Sequence, residues 1–220
     1  MTVNRAFDVV LTGLLLVVVA PLGLLIAAIL SRTGEREVFY AQERVGKGGR
    51  SFDLLKFATM LKESPRIGTG TLTVPNDPRV LPFGRWLRKT KLNELPQLIN
   101  VLRGDMSLVG PRPLTPDVFG YYDPEVRRRI MEVRPGLTGL GSIVFRDEER
   151  LLAESELPPA ECHRKEIAPH KGQLESWYVE HRSPGLDLKL LVLTAVAVLL
   201  PRSRLHEKLL RGIPQRQPQG

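Results

Sequence analysis

The hydrophobic pattern opens with one long apolar segment. No charged residue occurs in the 22 positions from Val9 to Leu30, and at about 1.5 Å per residue this length covers the roughly 30 Å hydrocarbon layer of a membrane. Length alone predicts a helix that spans a membrane. Pro21 lies near the middle, lacks the N–H of the helical ladder and should kink the helix. The pattern therefore leaves a spanning and a re-entrant helix both open.

Strand signals flank a glycine-rich turn after this segment. Val38 to Tyr40 indicates a short strand, Gly46 to Gly49 a hairpin turn, and Ser51 to Phe57 a second strand. Ser142 to Arg146 is also rich in β-branched and aromatic residues and resembles a strand. A β-hairpin and at least one further strand are therefore predicted.

Helical spacing dominates the rest of the chain. Leu95, Leu98, Ile99 and Leu102 recur at the period of a helix, with Asn93 as its predicted N-cap and Gly104 as its stop. The other predicted helices are Val80 to Lys91, Tyr121 to Glu132, Leu174 to His181 and Leu186 to Leu200. The last has too few apolar residues to span a membrane, and Trp177 and Tyr178 are typical of a membrane interface.

These elements predict an α/β, helix-rich α+β fold in three parts. Residues 1–32 form the membrane helix, residues 33–200 form the main domain with its interfacial amphipathic helices, and residues 201–220 form a basic flexible tail. The net charge of +8 favours acidic partners such as phosphates or an anionic membrane face. Only 6% of residues are aromatic and they fall in apolar segments, which argues against a nucleic acid partner. A single cysteine excludes an internal disulfide framework.

The candidate chemistry is concentrated between Arg88 and Pro113. Three cations, Arg88, Lys89 and Lys91, precede a predicted helix N-terminus, where free N–H groups favour a bound phosphate. Arg112 then stands between two prolines, which hold its guanidinium fork in a stiff loop. Each feature alone fits a capped helix followed by a surface loop. Together they predict a site for a phosphorylated substrate.

The same stretch resembles the signature of the bacterial sugar transferases, the monotopic phosphoglycosyl transferases. The resemblance rests on Asn93-Glu-Leu-Pro-Gln97, Asn100-Val-Leu-Arg-Gly-Asp-Met-Ser107 and Gly110-Pro-Arg-Pro113. It extends to Gln42-Glu-Arg-Val-Gly46 and Arg134-Pro-Gly-Leu-Thr-Gly139. In all, the similarity covers about Asn4 to about Leu200.

The resemblance implies a reaction and a location. The family transfers a sugar 1-phosphate from a UDP-sugar to undecaprenyl phosphate with Mg²⁺ and releases UMP, as the first membrane step in the biosynthesis of exopolysaccharide, O-antigen or a glycoconjugate. It implies a monotopic protein on the cytoplasmic face of the bacterial inner membrane, whose proline-broken helix dips into one leaflet. The implied partners are the UDP-sugar, undecaprenyl phosphate and inner-membrane lipid. Whether two copies pair as a homodimer stays open.

Two positions depart from the family pattern. Asn93 stands where the family has its nucleophilic Asp, and Ala58 stands where it has an active-site cation. A neutral carboxamide is a poor nucleophile, so Glu94 is the predicted essential carboxylate. Asn93 and Glu94 are the expected Mg²⁺ ligands, and the predicted substrate-binding cations are Arg112, Arg88, Lys56 and Arg146.

Three explanations of Asn93 follow. Glu94 takes over as nucleophile, or the protein is a member with weak or lost activity, or the Asn is a deliberate substitution that stalls the reaction. In the second case the protein would bind sugar nucleotide or lipid without turnover.

Overall fold

The computed structural model describes residues 3–68, 73–200, 203, 205–210 and 212–215. The predicted tail therefore lies partly outside the described residues. The strands are β1 (Phe39–Val45), β2 (Ser51–Phe57), β3 (Ser107–Val109) and β4 (Gly136–Thr138). The helices are α1 (Val3–Leu30), α2 (Pro82–Lys89), α3 (Gln97–Arg103), α4 (Pro116–Phe119), α5 (Pro124–Ile130), α6 (Leu140–Val144), α7 (Glu148–Glu154), α8 (Pro159–Cys162), α9 (Ala168–His181), α10 (Pro184–Leu199) and α11 (Leu205–Leu209).

Helix α1 is the long apolar helix that the sequence predicts, and it continues through Pro21. It is the one helix in the described part of the chain that is long and apolar enough to enter or span a membrane, over Arg5–Leu30. The side that faces the domain carries its least exposed residues at helical spacing: Asp8, Thr12, Leu16, Val19, Gly23, Ile26 and Leu30. The opposite side exposes large apolar residues: Val10, Leu14, Val17, Val18, Leu24 and Leu25.

Both ends of α1 contact the same domain. Near its start, Arg5 Nη1 donates to the carbonyl of Val101 at 2.6 Å, and Asp8 accepts a hydrogen bond from Ser107 Oγ at 2.7 Å. Near its end, Ile26 and Leu30 are buried in a cluster with Phe57 and Leu87. The apolar helix therefore contacts the domain near both of its ends.

The predicted hairpin is confirmed. β1 and β2 pair antiparallel from Phe39 opposite Phe57 to Val45 opposite Ser51. A 3₁₀ turn, Lys47–Gly49, connects them, and both Gly48 and Gly49 have positive φ. Glycine adopts that backbone region without the steric cost that a side chain adds, which explains the glycine-rich turn.

A second pair of strands lies deeper in the molecule. β3 and β4 are parallel, with Ser107 opposite Gly136 and Val109 opposite Thr138. The main apolar core surrounds this pair and includes Val101, Met106, Leu108, Leu140 and Leu174. Parallel pairing places the loops that follow β3 and β4 at the same end of the pair, and these loops are Gly110–Pro113 and Gly139 onward.

The strand predicted for Ser142 to Arg146 is wrong. Residues Leu140–Val144 form helix α6, and Arg146 follows it. Leu140 and Ile143 are both buried in the core, and this spacing of three matches one face of a helix. Burial against neighbouring elements thus overrides the local β propensity of the segment.

The interfacial position predicted for Tyr178 is also wrong. Its side chain is 3% exposed, and its hydroxyl donates to Asp187 Oδ1 at 2.7 Å. This bond joins α9 to the start of α10 inside the protein. Within the predicted tail, the structure describes helix α11, and Leu210 behind it is buried in the main core.

Candidate active site

The hairpin and the loop after β3 form two sides of one site. Arg44, on β1, donates from Nη1 to the carbonyl of Pro113 at 3.0 Å. The backbone N–H of Val45 donates to the carbonyl of Leu114 at 2.9 Å. These bonds fix the Gly110–Pro113 loop beside the outer end of the hairpin.

Glycines allow the loops after β3 and β4 to approach closely. A Cβ atom added to Gly110 would lie 2.5 Å from the carbonyl oxygen of Arg134, and one added to Gly139 would lie 2.1 Å from that of Gly110. Real Cβ atoms do not come this close to backbone oxygens. The Gly-Pro-Arg-Pro and Pro-Gly-Leu-Thr-Gly motifs therefore need glycine where they meet.

The central contact of the site joins Glu94 and Arg112. Arg112 Nη2 donates to Glu94 Oε1 at 3.2 Å, and the side chains are 33% and 17% exposed respectively. Burial by itself would raise the pKa of the Glu94 carboxyl, but Arg112, Lys56 and Lys91 together lower it to about 2. Glu94 also raises the pKa of Arg112. The carboxylate is therefore ionised at neutral pH and held within a group of cations.

Lys56 and Arg44 complete this group. Burial, followed by the charge of Arg44, lowers the pKa of Lys56 to about 7, although Glu94 opposes the shift. Burial, followed by Arg112, lowers the pKa of Arg44 to about 10. Cations that destabilise one another in this way favour a bound anion. Arg88 also lowers the pKa of Lys56 by its charge, so it belongs to the same field.

Three of the four predicted cations are thus brought together: Arg112, Lys56 and Arg88. Arg146 follows helix α6 and does not lie on a strand as predicted. Its Nε lies 3.9 Å from Asp147 Oδ1. Arg44 was missed, although it lies within the quoted Gln42–Gly46 signature. Ala58 is buried, and its N–H donates to the carbonyl of Val38. Its methyl side chain adds no charge to the site.

The prediction that Asn93 caps the following helix is wrong. Lys91 adopts the left-handed region with φ 60°, and a 3₁₀ turn covers Leu92–Glu94. Helix α3 begins only at Gln97, with Pro96 in the capping position. The Asn93 side chain instead turns inward, is 5% exposed, and leaves Oδ1 buried with no hydrogen-bond partner among the described residues.

The donor set near Asn93 fits a magnesium ion of the kind that binds mainly to substrate phosphates. Such an ion takes one or two carboxylates from the protein and completes its shell with water and phosphate oxygens. Asn93 and Glu94 are adjacent in sequence, both carry side-chain oxygens, and Asn93 Oδ1 is unpartnered. No group of three or more acidic, His or Cys side chains with metal-binding geometry occurs in the described residues, so a site made of protein ligands alone is not indicated.

A buried acidic network behind Arg112 was not predicted. The backbone N–H of Arg112 donates to Glu175 Oε1 at 3.2 Å, and burial raises the pKa of Glu175 to about 7. Glu148 lies close by, paired with Lys171 and with His163 Nε2 at 3.1 Å. The spacing of Lys171, Leu174, Glu175 and Tyr178 on one helical face was the available signal. These contacts support the backbone that carries Arg112.

Comparison with known protein sequences identifies the family of the chain. Residues 1–201 match the family described as bacterial sugar transferase. The chain is 38% identical over 200 residues to the uncharacterized sugar transferase EpsL of Bacillus subtilis, covering 91% of this chain and 89% of that protein. It is 39% identical over 159 residues to the exopolysaccharide production protein ExoY of Rhizobium meliloti, covering 66% and 70% respectively.

A third relative is longer. The undecaprenyl-phosphate galactose phosphotransferase of Salmonella typhimurium is 32% identical over 210 residues, which cover 89% of this chain and 40% of that protein. The matched region includes Glu94, Arg112 and the close-packed glycine loops. With a family match over nearly its whole length, this chain belongs to the bacterial sugar transferases, a family of phosphoglycosyl transferases.

Proposed function

We propose that the protein transfers a sugar 1-phosphate from a UDP-sugar to undecaprenyl phosphate and releases UMP. The observation that carries the proposal is the ionised Glu94 carboxylate within the cations Arg112, Lys56 and Arg44. Two relatives are named as phosphotransferases that act on undecaprenyl phosphate, with galactose in one and glucose in the other. A cationic site beside an apolar helix suits one soluble anionic substrate and one lipid substrate.

The cations provide binding and charge stabilisation for the pyrophosphate of the donor. Arg112 offers a planar fork that matches phosphate oxygens, and its backbone is held by Glu175. Lys56 gains a proton when an anion arrives, because its pKa of about 7 reflects burial and neighbouring cations. Charge that develops on the leaving UMP is thereby stabilised by groups already in place.

Glu94 is the proposed nucleophile. In the first step a carboxylate oxygen forms a bond to the phosphorus attached to the sugar, and the phosphoanhydride bond to UMP breaks. In the second step a phosphate oxygen of undecaprenyl phosphate attacks the same phosphorus, and the Glu94 carboxylate is released unchanged. For the first step Arg112 must exchange its contact with Glu94 Oε1 for the donor phosphate.

Magnesium is proposed as the cofactor. The residues that would hold it are Glu94 and Asn93, through the carboxylate and the unpartnered Oδ1. When bound, the ion would neutralise charge on the donor pyrophosphate.

We also propose that the protein is monotopic, with α1 re-entrant in the cytoplasmic leaflet of the inner membrane. A spanning helix leaves its domain at one end. In this structure Arg5 and Asp8 at one end and Ile26 and Leu30 at the other all contact the same domain. That arrangement supports an apolar helix that enters and leaves the membrane on one side.

A second candidate function is binding without turnover. Asn93 is neutral and cannot act as the nucleophilic Asp of the family does, which is the observation in its favour. The site would then retain its cations and hold a sugar nucleotide in place.

The test of the proposed function is release of UMP from a panel of UDP-sugars, with Mg²⁺ and with undecaprenyl phosphate in detergent. We expect multiple-turnover release from at least one donor, dependent on both the lipid phosphate and the metal. A matched reaction without undecaprenyl phosphate controls for simple hydrolysis. Binding of UDP-sugars with no release from any donor would replace the transferase with the binding function.

A further inference from the structure

A cavity of about 640 Å³ lies away from the Glu94 site. Its wall contains four cations, Arg5, Lys47, Arg134 and Arg182, and two carboxylates, Asp8 and Asp187. None of the charged side chains grouped around Glu94 lines it. A cavity of this size is within the usual range for sites that take a small ligand or headgroup.

Neutral backbone groups hold the two inner cations. Arg5 donates to the carbonyls of Val101 and Leu102 at 2.6 and 2.8 Å, and Arg134 Nε donates to the carbonyl of Gly104 at 2.8 Å. These carbonyls lie at the C-terminal end of α3, where a positive charge is favoured. The bonds fix the direction of both guanidinium groups without neutralising their charge.

The two carboxylates also bond to neutral donors. Asp8 accepts from Ser107 Oγ and from the N–H of Leu108, and Asp187 accepts from the Tyr178 hydroxyl. Of the ion pairs that the structure describes, none joins either carboxylate to a cation of this wall. Four positive charges and two negative charges leave an excess of positive charge in the cavity.

Lys47 and Arg182 stand at the mouth of this cavity, and both side chains are exposed. Lys47 lies in the hairpin turn and Arg182 directly after α9. The charge of Arg182 acts on Asp187 without a described ion pair between them, and both long flexible cations can reorient over a bound anion. The wall therefore combines two fixed arginines with two adaptable cations.

The position of the cavity points toward the membrane. Arg5 and Asp8 belong to the first turns of α1, whose outer face exposes Val10 and Leu14. Asp187 belongs to the first turn of α10, which exposes Leu188 and Val192. A phosphate at this depth would lie where lipid headgroups meet water.

We propose that this cavity binds a phosphate group, as carried by the headgroup of an anionic phospholipid. Arg5 and Arg134 would orient the phosphate, and Lys47 and Arg182 would cover it. The proposal does not depend on the transferase reaction, since it uses none of the residues of the Glu94 site. Occupancy would lock α1 and α10 to the domain at the surface of the membrane.

The test measures the unfolding temperature of the full chain in lipid nanodiscs. Three conditions are compared: phosphatidylcholine alone, phosphatidylcholine with increasing phosphatidylglycerol, and phosphatidylcholine with inorganic phosphate at constant ionic strength. The first variant is Lys47→Gln/Arg182→Gln. The second, Arg85→Gln/Lys89→Gln, removes the same number of charges at exposed positions outside the cavity.

We expect phosphatidylglycerol to raise the unfolding temperature of the wild type and of the Arg85/Lys89 variant at similar fractions. For the same rise in unfolding temperature, the Lys47/Arg182 variant should need a roughly tenfold higher fraction of phosphatidylglycerol. This difference is equivalent to about 1.4 kcal/mol of binding free energy. An equal response to inorganic phosphate alone would assign the site to free phosphate. Equal responses of the two double variants would show that net charge alone explains the effect and would overturn the proposal. No response in either phosphate condition would overturn it too.

Discussion

Glu94 carries a negative charge and its neighbour Asn93 is neutral, and this contrast governs the chemistry available to the site. Glu94 keeps a full negative charge because Arg112, Lys56 and Lys91 outweigh the cost of its burial. Asn93 carries no charge, and its buried Oδ1 has no partner in the described part of the chain. The carboxylate can therefore act as a nucleophile or bind a metal ion, whereas the amide oxygen can accept a hydrogen bond or bind a metal ion but is a poor nucleophile.

Lys56 gives a prediction at the scale of one residue. Its pKa of about 7 lies below the ordinary 10.5, so above that pH the amine is mostly neutral in the free protein. A bound diphosphate favours the charged form and raises the pKa again. UDP binding at about pH 8.5 should therefore take up close to one proton, and uptake should fall toward zero at about pH 6.

Calorimetry of UDP binding in buffers of different ionisation enthalpy measures this proton uptake. Lys56→Met should abolish it, while Lys62→Met, which alters an exposed lysine, should leave it intact. Uptake that persists in Lys56→Met would assign the proton to another group.

The close packing of the loops after β3 and β4 gives a prediction at the scale of elements. A Cβ atom at position 139 would lie 2.1 Å from the carbonyl oxygen of Gly110, so Gly139→Ala must push the Arg112 loop away. We expect a loss of about 1–3 kcal/mol in the free energy of unfolding, together with weaker UDP binding.

Gly185→Ala is the matched control, because an added Cβ there meets nothing within 4 Å. Urea unfolding in detergent compares the two variants with the wild type. Equal stability of Gly139→Ala and Gly185→Ala would contradict the packing described for these loops.

Local signals predicted the elements that depend on local contacts. The glycine turn and flanking strand residues gave the hairpin, and Gly104 ends α3 in the left-handed region as expected. The strand predicted for Ser142 to Arg146 was wrong because the helix formed there depends on the packing of Leu140 and Ile143 into a distant core. The prediction that Asn93 caps α3 was wrong because a 3₁₀ turn precedes Pro96, and α3 begins only after that proline.

The candidate site was predictable only in part for the same reason. Arg112, Arg88 and Lys56 lie within recognisable motifs, and the structure brings them near Glu94. Glu175 supports Arg112 from 63 positions away along the chain, and no local pattern reveals such a contact. Long-range contacts of this kind became visible only in the folded chain.

The topology of α1 gives a prediction for the whole molecule. Both helix ends contact one domain, and under the proposed re-entrant arrangement they lie on the same side of the membrane. A cysteine at Thr2 and another at Arg36, each in a Cys162→Ser background, should both react with a membrane-impermeant thiol reagent in inside-out vesicles. Neither should react in right-side-out vesicles.

A spanning helix would instead expose the two cysteines in opposite vesicle preparations. That result would contradict the re-entrant arrangement while leaving the Glu94 site unaffected. Glu63→Cys, at an exposed position of the domain, reports in each preparation which face carries the domain.

The central claim is that Glu94 is the essential carboxylate of an active sugar-phosphate transferase. Its most direct test is the rate of UMP release by this chain, by Glu94→Gln and by Asn93→Asp, with the same UDP-sugar, Mg²⁺ and undecaprenyl phosphate. We expect release by the chain as it stands and a loss of about a thousandfold or more in Glu94→Gln. Undiminished release by Glu94→Gln, or silence of the chain that only Asn93→Asp relieves, would contradict it.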